Sequence, residues 1–126
     1  VKRLSVNSYC YDEYDLEHQQ IFKAISNNND VVAVLALEDA NKSDLPANES
    51  GLLLHGIYVM PGLRLSGIGG QLVDFTIQLT RTNKLSGILV KAQPDANTFF
   101  EKTGFEKLPV VDAVKDYPHR WWKSVR

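Results

Sequence analysis

The sequence predicts an α/β (α+β) domain, and three observations carry that expectation. Three apolar runs read as strands: "VVAVLALE" (31–38), rich in β-branched and aliphatic residues without polar alternation, which suits a strand buried on both faces, then "GLLLHGIYV" (51–59) as a second apolar strand and "SGILVKA" (86–92) as a third, buried one. Between the last two runs, Ile68, Leu72, Phe75, Ile77 and Leu79 recur at helical spacing. A chain of 126 residues with 44% hydrophobic content builds one core and is short for two, so residues 1–126 are expected to form a single domain.

The elements follow in order. Lys2 to Tyr9 alternates weakly, with Leu4 and Val6 between polar neighbours, and predicts an opening strand. Leu16, Ile21, Phe22 and Ile25 share a helical face, so Asp12 to Asn28 is expected to be a helix that "SNNND" stops. The strand of Val31 to Glu38 is followed by "DANKSDLPANES", a loop by composition. Pro61 and Gly62 end the strand of Gly51 to Val59, and the helix holding Ile68 runs to about Asn83. After the strand of Ser86 to Ala92, Pro94 and Asp95 open a short helix that Gly104 closes. "FEKLPVV" and "HRWWKSV" read as two late strands joined by the polar "DAVKDYP".

Composition narrows the function classes. Fourteen Lys plus Arg against fifteen Asp plus Glu give a formal charge of -1, so no excess of positive charge marks a nucleic-acid or anionic-membrane partner. The single cysteine, Cys10, has no internal disulfide partner, and no Cys/His spacing of a zinc site occurs, which fits a reducing, cytoplasmic setting and no metal. No apolar run approaches the roughly 20 residues of a membrane span, and the polar N-terminus lacks the apolar segment of a signal peptide. The numbered chain begins at Val1 rather than at a methionine.

The stretch "VMPGLRLSGIGGQL" (59–72) sets Arg64 and the glycines Gly67, Gly69 and Gly70 between a strand end and a helix start. A Walker loop needs Gly-Lys-Ser/Thr, but Gln71 and Leu72 follow Gly70; a dinucleotide fingerprint starting at Gly67 needs glycine where Leu72 stands. Two physical accounts remain. The first N–H groups of a helix are unpaired and, with the helix dipole, make an anion site that glycines allow a phosphate to approach, with Arg64 adding a charge-assisted contact. The other account is a tight turn that only packs the helix on the sheet.

The pattern V-x-P-x-x-R-x-x-G-x-G-x-x-L, filled by Val59, Pro61, Arg64, Gly67, Gly69 and Leu72, resembles the acetyl-coenzyme A signature of the GNAT family of N-acetyltransferases. Downstream, "DANTFFEKTGF" (95–105) resembles the family's later segment A-x-x-F-Y-E-K-x-G-F at the expected separation. The resemblance covers Gly51 to about Leu108, and the first fifty residues match only in general order. It implies a central mixed twisted sheet flanked by helices, acetyl-coenzyme A as cosubstrate, and a primary amine of a small molecule or a protein as acceptor. It further implies that backbone groups of Ile57, Tyr58 and Val59 hold the pantetheine and acetyl carbonyl. The pyrophosphate would sit on backbone N–H groups of Leu65, Ser66, Gly67, Ile68, Gly69 and Gly70, beside Arg64.

The chain departs from the family pattern at the chemistry. Phe100 stands where a tyrosine usually protonates the leaving thiolate, and a phenyl ring has no proton to give. Leu53 stands where a glutamate base is common, and strand alternation sets His55 on the same face, two residues on. Histidine accepts a proton near neutrality, so His55 is the candidate general base, against the alternative of a strand-surface histidine bonded locally. Tyr58 lies by the acetyl end or in the core; Cys10 borders the acceptor or is a small buried hydrophobe. Asp12, Glu13 and Asp15 attract a cationic amine or form the acidic first turn of a helix.

In the tail "DYPHRWWKSVR", strand alternation sends Trp121 and Trp122 to opposite faces, one to the core and the other to a cleft, a partner chain or solvent. Dimers of the family often use late strands, which makes a homodimer one expectation. Two functions follow: an N-acetyltransferase that transfers the acetyl group directly to an amine in a ternary complex, or an acyl-coenzyme A-binding regulatory module that acts through a protein partner.

Overall fold

The computed structural model describes residues 2–6, 9–16, 19–63 and 67–126, with side chains from Gln20 onward. The chain runs β1 (Lys2–Val6), β2 (Tyr9–Leu16), β3 (Gln19–Ile25), β4 (Val31–Asp39), β5 (Gly51–Val59), α1 (Ile68–Thr82), β6 (Gly87–Lys91), α2 (Asn97–Lys102), β7 (Glu106–Lys107) and β8 (Arg120–Ser124). These strands form one mixed sheet in the order β1-β2-β3-β4-β5-β6-β8-β7. Among the described residues β5 and β6 make the one parallel pair, and α1 is the crossover between them, as a parallel connection requires.

The core lies between the sheet and the helices. Leu35, Leu37, Leu54, Ile68, Leu72 and Ile88 are buried to within 2% there, joined by Phe22, Phe75, Phe100 and Trp121. Leu89 and Trp122 are buried outside that cluster and face each other across the β6–β8 register, so they pack the opposite face. Thr76 and Thr80 are fully buried in α1, where each hydroxyl donates to the carbonyl four residues back, at 2.8 and 2.6 Å, which removes the cost of burying it.

The middle elements match the expectation closely, and the ends differ. Asp12 to Asn28 is not a helix: β2 and β3 form an antiparallel hairpin, paired from Cys10↔Ile25 to Leu16↔Gln19. Phe22 and Ala24 reach the core by strand alternation, and Tyr14, Ile21, Phe22 and Ile25 favour a pleated surface over a helical face. Asp12, Glu13 and Asp15 therefore belong to a strand and not to an acidic helix start, and Cys10 lies on the same strand; their side chains lie outside the described residues. The opening strand stops at Val6, and Tyr9 already belongs to β2.

Of "FEKLPVV" only Glu106–Lys107 forms a strand, because Pro109 has no N–H to extend the ladder and its carbonyl is taken by the Arg120 guanidinium at 2.9 Å. Both tryptophans are buried, Trp121 at 4% and Trp122 at 8%, so Trp122 does not face a cleft, a partner or solvent. It covers the two glycines at the head of the parallel pair, Gly51 and Gly87. Among the described residues no helix is long and apolar enough to cross a membrane, and no group of three metal-ligating side chains occurs.

Candidate functional site

The site begins where the sheet opens. β5 and β6 pair from Gly51↔Gly87 to Leu54↔Val90, and there the parallel ladder ends. Beyond it β6 continues against β8 as far as Lys91, while Gly56 to Val59 pair with β4 alone. The two strands therefore separate just after Leu54, and a cavity of about 430 Å³ occupies the opening. Its walls are residues 54–59 of β5, residues 90–93 at the end of β6, Gly69 of α1, and Asp95, Ala96, Phe99 and Phe100 around the start of α2.

A bulge marks the same point. Ala36 and Leu37, adjacent on β4, pair with Gly56 and Leu54, so His55 is the extra residue on β5. A bulge bends its strand and re-aims the side chain it carries. Leu52 and Leu54 enter the core cluster, so Leu53 and His55 lie on the other face of the sheet. Glu38 pairs with Leu53 and shares that face, with Oε1 3.4 Å from His55 Nε2.

The N-terminus of α1 faces the opening from the core side. Gly67 caps it with φ +87°, a backbone conformation that favours glycine, and among the described residues no side chain caps the helix. The first intrahelical bond runs from Gln71 N–H to the Gly67 carbonyl at 3.1 Å, so the N–H groups of Ile68, Gly69 and Gly70 come before the ladder begins. A β-carbon on Gly67 or Gly70 would meet nothing within 4 Å among the described residues. Donors without a partner inside the helix suit a phosphate chemically. One turn into the helix, the buried Gln71 Oε1 has no hydrogen-bond partner among the described residues.

The sequence-derived residues fall into three groups. His55, Ile57, Tyr58, Val59 and Gly69 line the cavity, and Gly67, Ile68 and Gly70 form the helix start beside it. Arg64, Leu65 and Ser66 lie outside the described residues. Ile57 and Val59 pack against the core while Tyr58 is 56% exposed, so Tyr58 is not a core aromatic. Phe100 is buried in the cavity wall, edge-on to Phe99 and Phe105, which leaves the usual hydroxyl position apolar. Glu38 escaped the sequence reading: as the charged end of an apolar run it was legible, but its place beside His55 depends on the β4–β5 register.

A family model, described as an acetyltransferase (GNAT) domain, matches residues 5–117. The chain belongs to the GNAT acetyltransferase family. Solved structures carry the same fold at low identity. AtaTR bound with acetyl-coenzyme A is 16% identical with a TM-score of 0.67, over 86% of this chain and 68% of that one. A GNAT-family acetyltransferase from Staphylococcus aureus Mu50 is 20% identical with a TM-score of 0.68, over 86% and 69%. AtaT complexed with acetyl-methionyl-tRNAfMet is 15% identical with a TM-score of 0.65, over 85% and 71%. No curated protein sequence matches the chain.

Proposed function

We propose that the chain is a single-domain N-acetyltransferase that moves the acetyl group of acetyl-coenzyme A to a primary amine. The observation that carries this reading is the coincidence, at one opening of the sheet, of the separated strand Ile57–Val59 and the uncapped glycine start of α1. Backbone groups of Ile57, Tyr58 and Val59 hold the pantetheine and acetyl carbonyl, and the N–H groups from Leu65 to Gly70, with Arg64, hold the pyrophosphate. Acetyl-coenzyme A supplies an activated thioester.

The remaining work is positioning and proton transfer. His55, at the edge of the opening, takes the proton from the attacking amine. The nitrogen lone pair forms the new C–N bond, the C–S pair leaves with sulfur, and the thiolate gains a proton from water, because Phe100 has none to donate. The acceptor is an amine of a small molecule or a protein.

A regulatory acyl-coenzyme A-binding module is the second reading. Phe100 in the cavity wall favours it, but the buried Trp122 removes the tryptophan surface through which a partner was expected. Calorimetric titration with acetyl-coenzyme A and with free coenzyme A tests the common part. Saturable binding at one site per chain is expected, and no binding by folded protein overturns both readings. Thiol release on adding an amine panel then separates enzyme from module.

A further inference from the structure

Three features converge on His55. It is the bulged residue of β5, it is the first residue past the last β5–β6 pair, Leu54↔Val90, and its Nε2 lies 3.4 Å from Glu38 Oε1. The Glu38 side chain is 25% exposed and that of His55 47%, so the carboxylate is the more fixed partner. The nearby ammonium of Lys91 is engaged elsewhere, 3.5 Å from Asp44 Oδ2. Among the described residues, His55 is the one ion-pair contact of Glu38.

A neutral imidazole carries one proton, and the neighbour of one ring nitrogen decides where it sits. We infer that Glu38 is a positioning residue for His55: its carboxylate holds the imidazole proton on Nε2 and leaves Nδ1 as the lone pair that accepts the proton of the attacking amine. The same contact fixes the ring on a bulge that would otherwise leave it free to turn. This rests on His55 being the base of the proposed reaction, and the test keeps the two apart.

The test starts from nitrogen-15-labelled protein at about pH 8, where imidazoles are largely neutral. Long-range proton–nitrogen correlations report the tautomer of each of the three histidines, and His55 is assigned by its loss in His55→Ala. The expected result is a single Nε2–H form in the native chain and in Glu38→Gln, which keeps an acceptor oxygen, and a mixture of tautomers in Glu38→Ala. A mixture or an Nδ1–H form in the native chain overturns the inference. Glu38→Leu, close in volume and without an acceptor oxygen, covers the case in which the alanine variant fails to fold, and the same mixture is expected in it.

Turnover is followed as thiol release from acetyl-coenzyme A with n-butylamine as acceptor. Glu38→Ala is expected to lower kcat about tenfold with KM for acetyl-coenzyme A unchanged, and Glu38→Gln to restore most of it. If Glu38→Ala turns over like the native chain while His55→Ala does not, the positioning role falls and the base stands. Native turnover in His55→Ala overturns both.

Discussion

A β-carbon on Gly69 would stand 2.9 Å from Cε1 of Phe99, so the start of α1 and the flank of α2 touch through a glycine and a phenyl ring. Phe99 packs against the core and lies edge-on to Phe100, with 5.1 Å between centroids, which leaves the ring little room to retreat. Gly69→Val is therefore expected to cost about 1–3 kcal/mol by overpacking, with part of the loss recovered when Phe99→Leu is added. Chemical denaturation of the single and double variants measures this. Equal losses in both would show that Gly69 does not accommodate the ring.

Gly67 and Gly70 answer a different question, because a β-carbon on either would meet no neighbour within 4 Å among the described residues. At Gly67 the φ of +87° makes Gly67→Ala strained, at a cost of about 1–2 kcal/mol. Gly70 lies inside α1 without that strain, so Gly70→Ala is expected to stabilise by up to about 1 kcal/mol. If the open space is the coenzyme's, the same substitution weakens coenzyme A binding about tenfold by standing where the phosphates approach. Thermal unfolding and calorimetry on one sample read both effects. A stabilised variant with native affinity would remove Gly70 from the proposed site.

The middle of the fold was legible because each signal there is local. Pro61 and Gly62 end β5, the spacing of Ile68, Leu72 and Phe75 makes α1, and Gly104 at φ +89° closes the segment after α2. The β2–β3 hairpin was not legible, since Ile21, Phe22 and Ile25 satisfy a helical face as well as a strand and the choice is made by pairing with β4. The candidate site divides the same way. Its glycines declare themselves by pattern, whereas the meeting of Glu38 and His55 requires a bulge that no single strand encodes.

Trp122 is a structural residue of the second sheet face. A β-carbon on Gly87 would overlap its indole and stand 2.6 Å from the Lys123 carbonyl oxygen, while one on Gly51 would lie 2.7 Å from the Gly87 oxygen. Backbone atoms cannot yield as a side-chain tip can. Gly87→Ala is therefore expected to destabilise by more than about 3 kcal/mol, and Trp122→Ala by about 3–5 kcal/mol through the cavity left behind. Denaturant unfolding reads both. A folded Trp122→Ala protein of native stability would return Trp122 to the role of an interaction residue.

Asp116 gives the loop between β7 and β8 a dependence on pH. Its Oδ2 accepts the N–H groups of Asp112 at 3.0 Å and Val111 at 2.9 Å, with the Arg120 guanidinium 3.6 Å away. The Asp112 N–H first, then that of Val111, hold its carboxyl below the ordinary aspartate value; partial burial opposes them, and Arg120 adds to them. A carboxyl with a depressed folded-state pKa contributes stability that is fully present above its unfolded value, near pH 3.9, and is lost as pH falls through the lower folded value. Amide hydrogen exchange at Val111, corrected for its intrinsic pH dependence, should therefore keep constant protection from neutrality down to about pH 4 and lose it below. Asp116→Asn keeps an oxygen in place but no charge, and should weaken protection at neutral pH while flattening the acid response. An acid response of the same size in that variant would mean that another group holds the loop, and the three exposed valines it displays, Val110, Val111 and Val114, would then owe their placement to something other than this carboxylate.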